Sequence, residues 1–213
     1  MKIWHGPRSR SDRIVWLCEE MGLDYEIGLF RFREPNPEFA SIDSLGSLPV
    51  LEDEGKVIQE SVAIMLYLAG RYGPTPLMPA PHDPDFAECL QYLLLAEASL
   101  GSAVNTLMYD RFRCPEAERG GFHPTARHAQ VVRTAQWVAD HGLKDRPFVA
   151  GERFTLADIC MGHSLVVCRS LLGMAKELPA AVSDYLDRVT ARPAYQKVAA
   201  LHQPLPGARP ARP

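Results

Sequence analysis

Short apolar runs and helically spaced apolar positions alternate over the first third of the chain. Ile3 and Trp4, between Lys2 and His5, fit a short strand that Gly6 and Pro7 turn, and from Ser11 the positions Ile14, Leu17, Cys18 and Met21 recur every three or four residues before Gly22. This spacing predicts a strand, a tight turn and a helix closed by a glycine cap. A second strand is expected over 24–29. The stretch 30–44 is polar and broken by Pro35 and Pro37, with a short irregular helix expected over 38–42. Segments 48–51 and 56–59 read as two further strands, close enough across Asp53, Glu54 and Gly55 to form a hairpin. Ile64, Met65, Leu68 and Tyr72 then give the apolar stripe of a helix that starts at Ser61. The order is βαβ, a loosely patterned crossover, then ββα, which describes a compact mixed-sheet domain.

Pro74, Pro76, Pro79, Pro81 and Pro84 follow within eleven residues, a density that neither a helix nor a central strand accommodates. Everything beyond is helically patterned. A long helix is expected over 85–111, with Leu90, Leu93, Leu94, Leu100, Val104, Leu107 and Met108 as core candidates. Another is expected over 125–141, with Val132, Ala135 and Val138 facing inward. Thr155 is placed to cap a nearly apolar helix reaching about residue 172. Asp158 sits three residues on to reach back to the cap, and Phe154 and Ile159 form a hydrophobic staple. Two shorter helices, 179–192 and 193–201, each begin with proline. The expected division is a mixed-sheet domain at 1–76, a linker at 77–84, an all-helical domain at 85–202 and an extended tail at 203–213.

The chain has 213 residues, 46% of them hydrophobic, with a net charge of −3; this is ample for real cores and gives no reason to invoke nucleic acid or an anionic membrane as partner. No apolar run approaches membrane-spanning length, so a cytoplasmic protein is expected. The five cysteines form no Cys-x-x-Cys pair, and the seven histidines do not converge at metal spacing, so no metal site is expected. Dinucleotide, phosphate-loop and nucleophile-elbow motifs are also missing from the sequence.

Three features remain. Pro49 falls within an apolar strand pattern, where a proline removes a ladder donor and leaves main-chain groups for another partner. The turn from Gly6 to Arg13 puts Ser9 and Ser11 at a helix start beside Arg8, Arg10 and Arg13. Hydroxyls and N–H groups there favour an anion such as a thiolate, although either serine could simply cap the helix. Glu60 and Ser61 open the next helix, where a serine cap could meet a ligand carboxylate and a glutamate an amino group.

These features, in this order, resemble the cytosolic glutathione transferase family, in its bacterial serine-type or theta-like form. The resemblance rests on the run from Ser9 to Glu26, Leu48-Pro49-Val50-Leu51, Gln59-Glu60-Ser61, Arg71-Tyr72-Gly73, the capping motif at 154–159 and Ala191-Arg192-Pro193-Ala194-Tyr195. It implies a thioredoxin-like N-terminal domain, an all-helical C-terminal domain and a homodimer. It also implies glutathione as co-substrate: Leu48, before a cis Pro49, pairs with the cysteinyl backbone, and Glu60 and Ser61 hold the γ-glutamyl end. Ser9 is the nearest match to the catalytic serine and Ser11 the second. Tyr109 and Phe112 are candidates for the electrophile pocket, implied to lie in the cleft between the domains. One departure stands out. Many relatives carry lysine or glutamine where this chain has Ser47, which predicts weaker glutathione binding unless Arg31, Arg33 or Asn36 replaces that contact.

The expected activity is conjugation of glutathione, as thiolate, to a small apolar electrophile, in a detoxifying role. Glutathione-dependent peroxidase, disulfide reductase or isomerase activity is one alternative, and a non-catalytic binding or scaffold protein is another.

Overall fold

The computed structural model describes residues 1–32, 34–43 and 45–202. Four strands and nine α-helices are present among them. Strands β1 (Lys2–His5), β2 (Glu26–Leu29), β3 (Val50–Asp53) and β4 (Lys56–Gln59) form one sheet in the order β2-β1-β3-β4. β1 and β2 are parallel, joined through α1 (Ser11–Met21), whereas β3 runs antiparallel to both β1 and β4. This is the βαβ-ββα order that the apolar pattern predicts. Gly22 ends α1 at φ 65°, and the hairpin turn places Glu54 and Gly55 at φ 47° and 76°. Two successive positive φ values give the turn that matches the twist of antiparallel strands.

The short helix α2 (Pro37–Ile42) is capped by Asn36, whose Oδ1 accepts from the Phe39 N–H at 3.0 Å. Phe39 packs with Trp4, Leu48 and Val50 in a buried cluster, and Phe30 and Ile42 lie against it. β3 begins at Val50, two residues later than the sequence pattern suggests, so Leu48 and Pro49 precede the ladder. Proline lacks the N–H that a ladder needs.

Main-chain contacts group Met1–Leu68 with the segment from Ala191 in one unit and Ala69–Thr190 in another. Helix α9 (Pro193–Ala200) packs on α1 in the first unit. The Trp16 and Tyr195 rings meet edge-on at 4.7 Å, and Arg192 grips Glu20 with two bonds of 2.6 and 2.7 Å. The tail expected over 203–213 lies outside the described residues.

In the second unit, α4 (Phe86–Leu94) runs through a π-helical turn at Leu95–Gly101 into α5 (Ser102–Phe112). Leu93 is fully buried but Leu94 is 53% exposed, contrary to the expectation that both are core. Successive helical positions diverge by about 100°, so one contact stripe does not bury both. Helix α6 (Phe122–Trp137) starts three residues earlier than expected and takes Pro124 into its first turn, where no N–H is required. Its buried positions are Val131 and Ala135, followed by Val138 in a π-helical turn, while Val132 is only half-buried.

Helix α7 (Leu156–Ser170) is almost wholly buried and carries the expected capping box. Asp158 accepts from the Thr155 N–H at 2.8 Å, the Val149 N–H at 3.0 Å and the Tyr185 hydroxyl at 3.2 Å. Tyr185 lies on α8 (Ala180–Thr190), so one carboxylate ties a cap, a loop and a neighbouring helix. Among the described residues no helix is long and apolar enough to cross a membrane.

Candidate active site

The register of the sheet brings the sequence candidates of the first unit to one edge. Trp4 pairs with Val50, and Val50 pairs with Gln59. The C-terminal end of β1, the N-terminal end of β3 and the C-terminal end of β4 are therefore neighbours. From them leave the turn bearing Ser9 and Ser11, the Leu48–Pro49 dipeptide and the Glu60–Ser61 pair. The Leu48–Pro49 bond is cis.

Gly6 makes this convergence tight. A Cβ there would lie 2.7 Å from Leu48 Cδ1 and 3.0 Å from Phe32 Cε2, inside van der Waals contact, so only glycine lets the turn pass this close to Leu48. Phe32, 47% exposed and edge-on to Phe30, thus stands beside the dipeptide. It lies in the polar crossover, where no periodicity singles it out.

The two serines have different surroundings. Ser11 is fully buried; its Oγ accepts from the Gly6 N–H at 3.2 Å, lies 2.9 Å from His5 Nδ1 and 3.2 Å from the Gly6 carbonyl. Ser9 is half-buried, with its Oγ 2.7 Å from Ser11 Oγ and accepting from the Ser11 N–H at 3.2 Å. The Asp12 and Arg13 N–H groups donate to the Ser9 and Arg10 carbonyls. These first-turn N–H groups are thus used within the turn, and the expectation of free amides there does not hold. The positive end of the helix dipole still favours an anion at this turn.

The three arginines also separate. Arg8 is exposed at φ 62°, whereas Arg13 is 1% exposed and donates from Nη1 to Ser61 Oγ at 2.9 Å. Arg13 therefore links the start of α1 to the start of α3 (Ser61–Arg71) beneath the edge. Ser61 Oγ, having accepted from Arg13, keeps its own proton to donate. Glu60, exposed at φ 67°, holds a conformation that costs a non-glycine residue about 1 kcal/mol or more and that turns the chain from β4 into α3.

Asp43, which carries no motif in the sequence, organises the loop before Pro49. Its buried carboxylate accepts from the Leu45 N–H at 2.9 Å, the Ser47 N–H at 2.8 Å and Gln59 Nε2 at 2.6 Å. Ser47 is thereby fixed through its backbone. Of the residues considered as substitutes for the missing long side chain, Asn36 serves as the α2 cap, Arg31 faces Glu34 at 3.8 Å, and Arg33 lies outside the described residues.

Residues 1–70 match the family model for the glutathione S-transferase N-terminal domain, and 132–193 match that for the C-terminal domain. Glutathione S-transferase 3 of Schizosaccharomyces pombe is 31% identical over 171 residues, spanning 72% of this chain and 68% of the relative. The chain belongs to the glutathione S-transferase family. Glutathione S-transferase 3 of Zea mays is 27% identical over 97% of this chain and 96% of its own length. The theta class glutathione S-transferase of Xanthomonas axonopodis pv. citri, solved with glutathione bound, superposes with a TM-score of 0.68 at 26% identity, covering 92% of this chain and 94% of that one. The expected fold, a thioredoxin-like domain followed by an all-helical one, is the fold of this family.

The two electrophile-pocket candidates of this transferase-family chain, Tyr109 and Phe112, lie on α5 in the second unit and are 62% and 46% exposed. Phe112 helps line a cavity of about 500 Å³ with Leu107, Arg111, His128, Leu172 and Met174. The Arg111 guanidinium lies 5.6 Å from the Phe112 ring and donates to the Leu172 carbonyl at 3.1 Å. Burial pushes the Cys18 thiol, on α1 of the same unit as the sheet, up to about 12.

Proposed function

We propose that this protein conjugates glutathione to small apolar electrophiles, with Ser9 donating a hydrogen bond to the glutathione sulfur. The observation that carries this reading is the convergence of Ser9, Leu48–Pro49 and Glu60–Ser61 on one sheet edge. An extended tripeptide laid along that edge would meet three kinds of group in turn. The Leu48 backbone, next to a proline outside the ladder, would pair with the cysteinyl main chain. The Ser61 hydroxyl would donate to the γ-glutamyl carboxylate, and Glu60 would receive its ammonium group.

A serine hydroxyl is far too weak a base to remove a thiol proton at rest, so Ser9 acts by stabilising the product of ionisation. The thiol proton leaves to solvent, and the Ser9 O–H and the α1 dipole hold the thiolate. Lowering the thiol pKa by about two units corresponds to about 2.7 kcal/mol of differential stabilisation. The thiolate then attacks an electrophilic carbon: the S–C bond forms, and either the leaving group departs with its bonding pair or the electrons of an activated double bond shift outward. A homodimer acting in the cytoplasm completes this reading.

Ser9→Ala is expected to reduce turnover of an activated aryl halide at least tenfold while leaving glutathione affinity nearly intact. Unchanged turnover in Ser9→Ala would remove Ser9 from the role and transfer the question to Ser11.

A further inference from the structure

Aromatic rings of the first unit run from its core to the sheet edge. Trp4 meets Phe39 edge-on at 5.3 Å, Phe39 meets Phe30 at 4.7 Å, and Phe30 meets Phe32 edge-on at 5.5 Å. Trp4 and Phe39 belong to the buried cluster and Phe30 packs against it, so burial explains those three. Phe32 ends the series 47% exposed, and burial does not explain it.

The ring is nevertheless held in place. The Phe30 N–H donates to the His5 carbonyl at 2.8 Å, which carries the pairing of β2 with β1 to the point where Gly6 begins its turn. Phe32 follows two residues on, between that bond and a turn closed by the Glu34 N–H on the Arg31 carbonyl at 3.2 Å. Its Cε2 and Cζ lie 3.0 and 3.1 Å from the point a Gly6 Cβ would occupy, and Leu48 Cδ1 lies 2.7 Å from the same point. The ring, the Leu48 side chain and the Gly6 backbone therefore share one patch. Ser9 belongs to it through the turn, its N–H donating to the Gly6 carbonyl at 3.1 Å. On the reading given above, the cysteinyl main chain of glutathione pairs with Leu48 and its sulfur is held at Ser9. A side chain reaching from the one to the other passes Gly6, and a group bonded to its sulfur leaves the peptide beside the Phe32 ring.

An aliphatic side chain there would offer apolar area without regard to shape. A phenyl ring offers more, because its faces are negative and its edges positive, so it stacks best, offset, on a flat partner whose own face is electron-poor. An aromatic carbon open to attack by a thiolate is electron-poor for the same reason: the withdrawing groups that make it an electrophile also deplete the ring face. The demands of reactivity and of stacking thus coincide in activated aryl compounds, whereas a saturated alkyl electrophile gains only from buried area. We propose that Phe32 is a specificity-determining residue that favours electron-poor aromatic electrophiles over aliphatic ones by stacking on the group bonded to the glutathione sulfur. The inference rests on the placement of glutathione along this edge.

Stable conjugates test this without any turnover. Calorimetric titration of the full-length protein compares glutathione, S-hexylglutathione and S-(dinitrophenyl)glutathione, the last two carrying an aliphatic and an electron-poor aromatic group on the same sulfur. Phe32→Leu, which keeps apolar contact with Gly6 and Leu48, should weaken the dinitrophenyl conjugate about fivefold and the other two ligands by less than about twofold. Phe32→Trp, which keeps a stacking face, should bind the dinitrophenyl conjugate at least as tightly as the parent. An unchanged dinitrophenyl affinity in Phe32→Leu overturns the proposal, because the ring then does not meet the sulfur substituent. Equal weakening of all three ligands overturns it by making Phe32 a support for Gly6 and Leu48, and equal weakening of the two conjugates alone overturns the aromatic preference. If glutathione and both conjugates give no heat of binding to the parent, the placement of glutathione itself fails and the proposal falls with it.

Discussion

Ser9 and Ser11 are two positions apart and alike in composition, yet the fold gives them different work. Ser11 is fully enclosed by the Gly6 backbone and His5, while Ser9 is half-buried at the outer end of the same chain of hydroxyls. No feature of the sequence separates them, because the distinction depends on which hydroxyl faces the end of β1 once α1 has docked. Gly6 is legible only in hindsight for a similar reason: a glycine before a proline reads as a turn, whereas its decisive property here is the absence of a Cβ. Gly6→Ala would force Leu48 Cδ1 and the Phe32 ring away from positions 2.7 and 3.0 Å from the new atom. We expect a stability loss of about 1–2 kcal/mol in chemical denaturation. A larger proportional loss of glutathione affinity should accompany it, since Leu48 carries the backbone proposed to pair with the ligand.

At the scale of elements, the periodic parts of the chain were the legible ones. The strand-turn-helix start, the hairpin, and the helix from Ser61 follow from spacing alone. So does the cap at Thr155, because the cap and its partner lie three residues apart and each names the other. Asp43 and Arg13 were not legible, since their partners are distant in sequence: Asp43 holds Gln59, and Arg13 reaches Ser61. The docking of α9 on α1 is equally non-local, and it is what brings His202 to Asp12.

The α7 cap yields a prediction with a definite pH sign. Burial pushes the Asp158 carboxyl up to about 6 from an ordinary 3.8, despite the N–H and hydroxyl donors around it. The folded state therefore holds this proton more tightly than the unfolded chain, so the contribution is complete below about pH 4 and is lost as pH rises through about 6. Asp158→Asn should cost about 2–4 kcal/mol, from the lost cap and the unsatisfied donors it leaves. Scanning calorimetry should show a larger gap between parent and variant near pH 4 than near pH 7. An equal or reversed gap would contradict the assignment.

For the whole molecule, fold and family are written redundantly along the chain: sheet order, proline-dense connection, helical second half and motif order all agree. The site is written more sparsely. Its proposed contacts rest on backbone geometry at Leu48–Pro49 and on two hydroxyls, and at Ser47 the structure shows only that Asp43 fixes the backbone. Binding of glutathione at this sheet edge is therefore the claim on which transferase chemistry and thiol activation both depend. Isothermal titration calorimetry of the full-length protein with glutathione tests it without any assumption about the electrophile. The expected result is saturable binding, one glutathione per chain, with Kd on the order of 0.1–1 mM, equivalent to about 4–5.5 kcal/mol, and a tenfold or greater weakening in Glu60→Ala. No heat of binding at several times that concentration would contradict the account and leave a transferase-fold scaffold in its place.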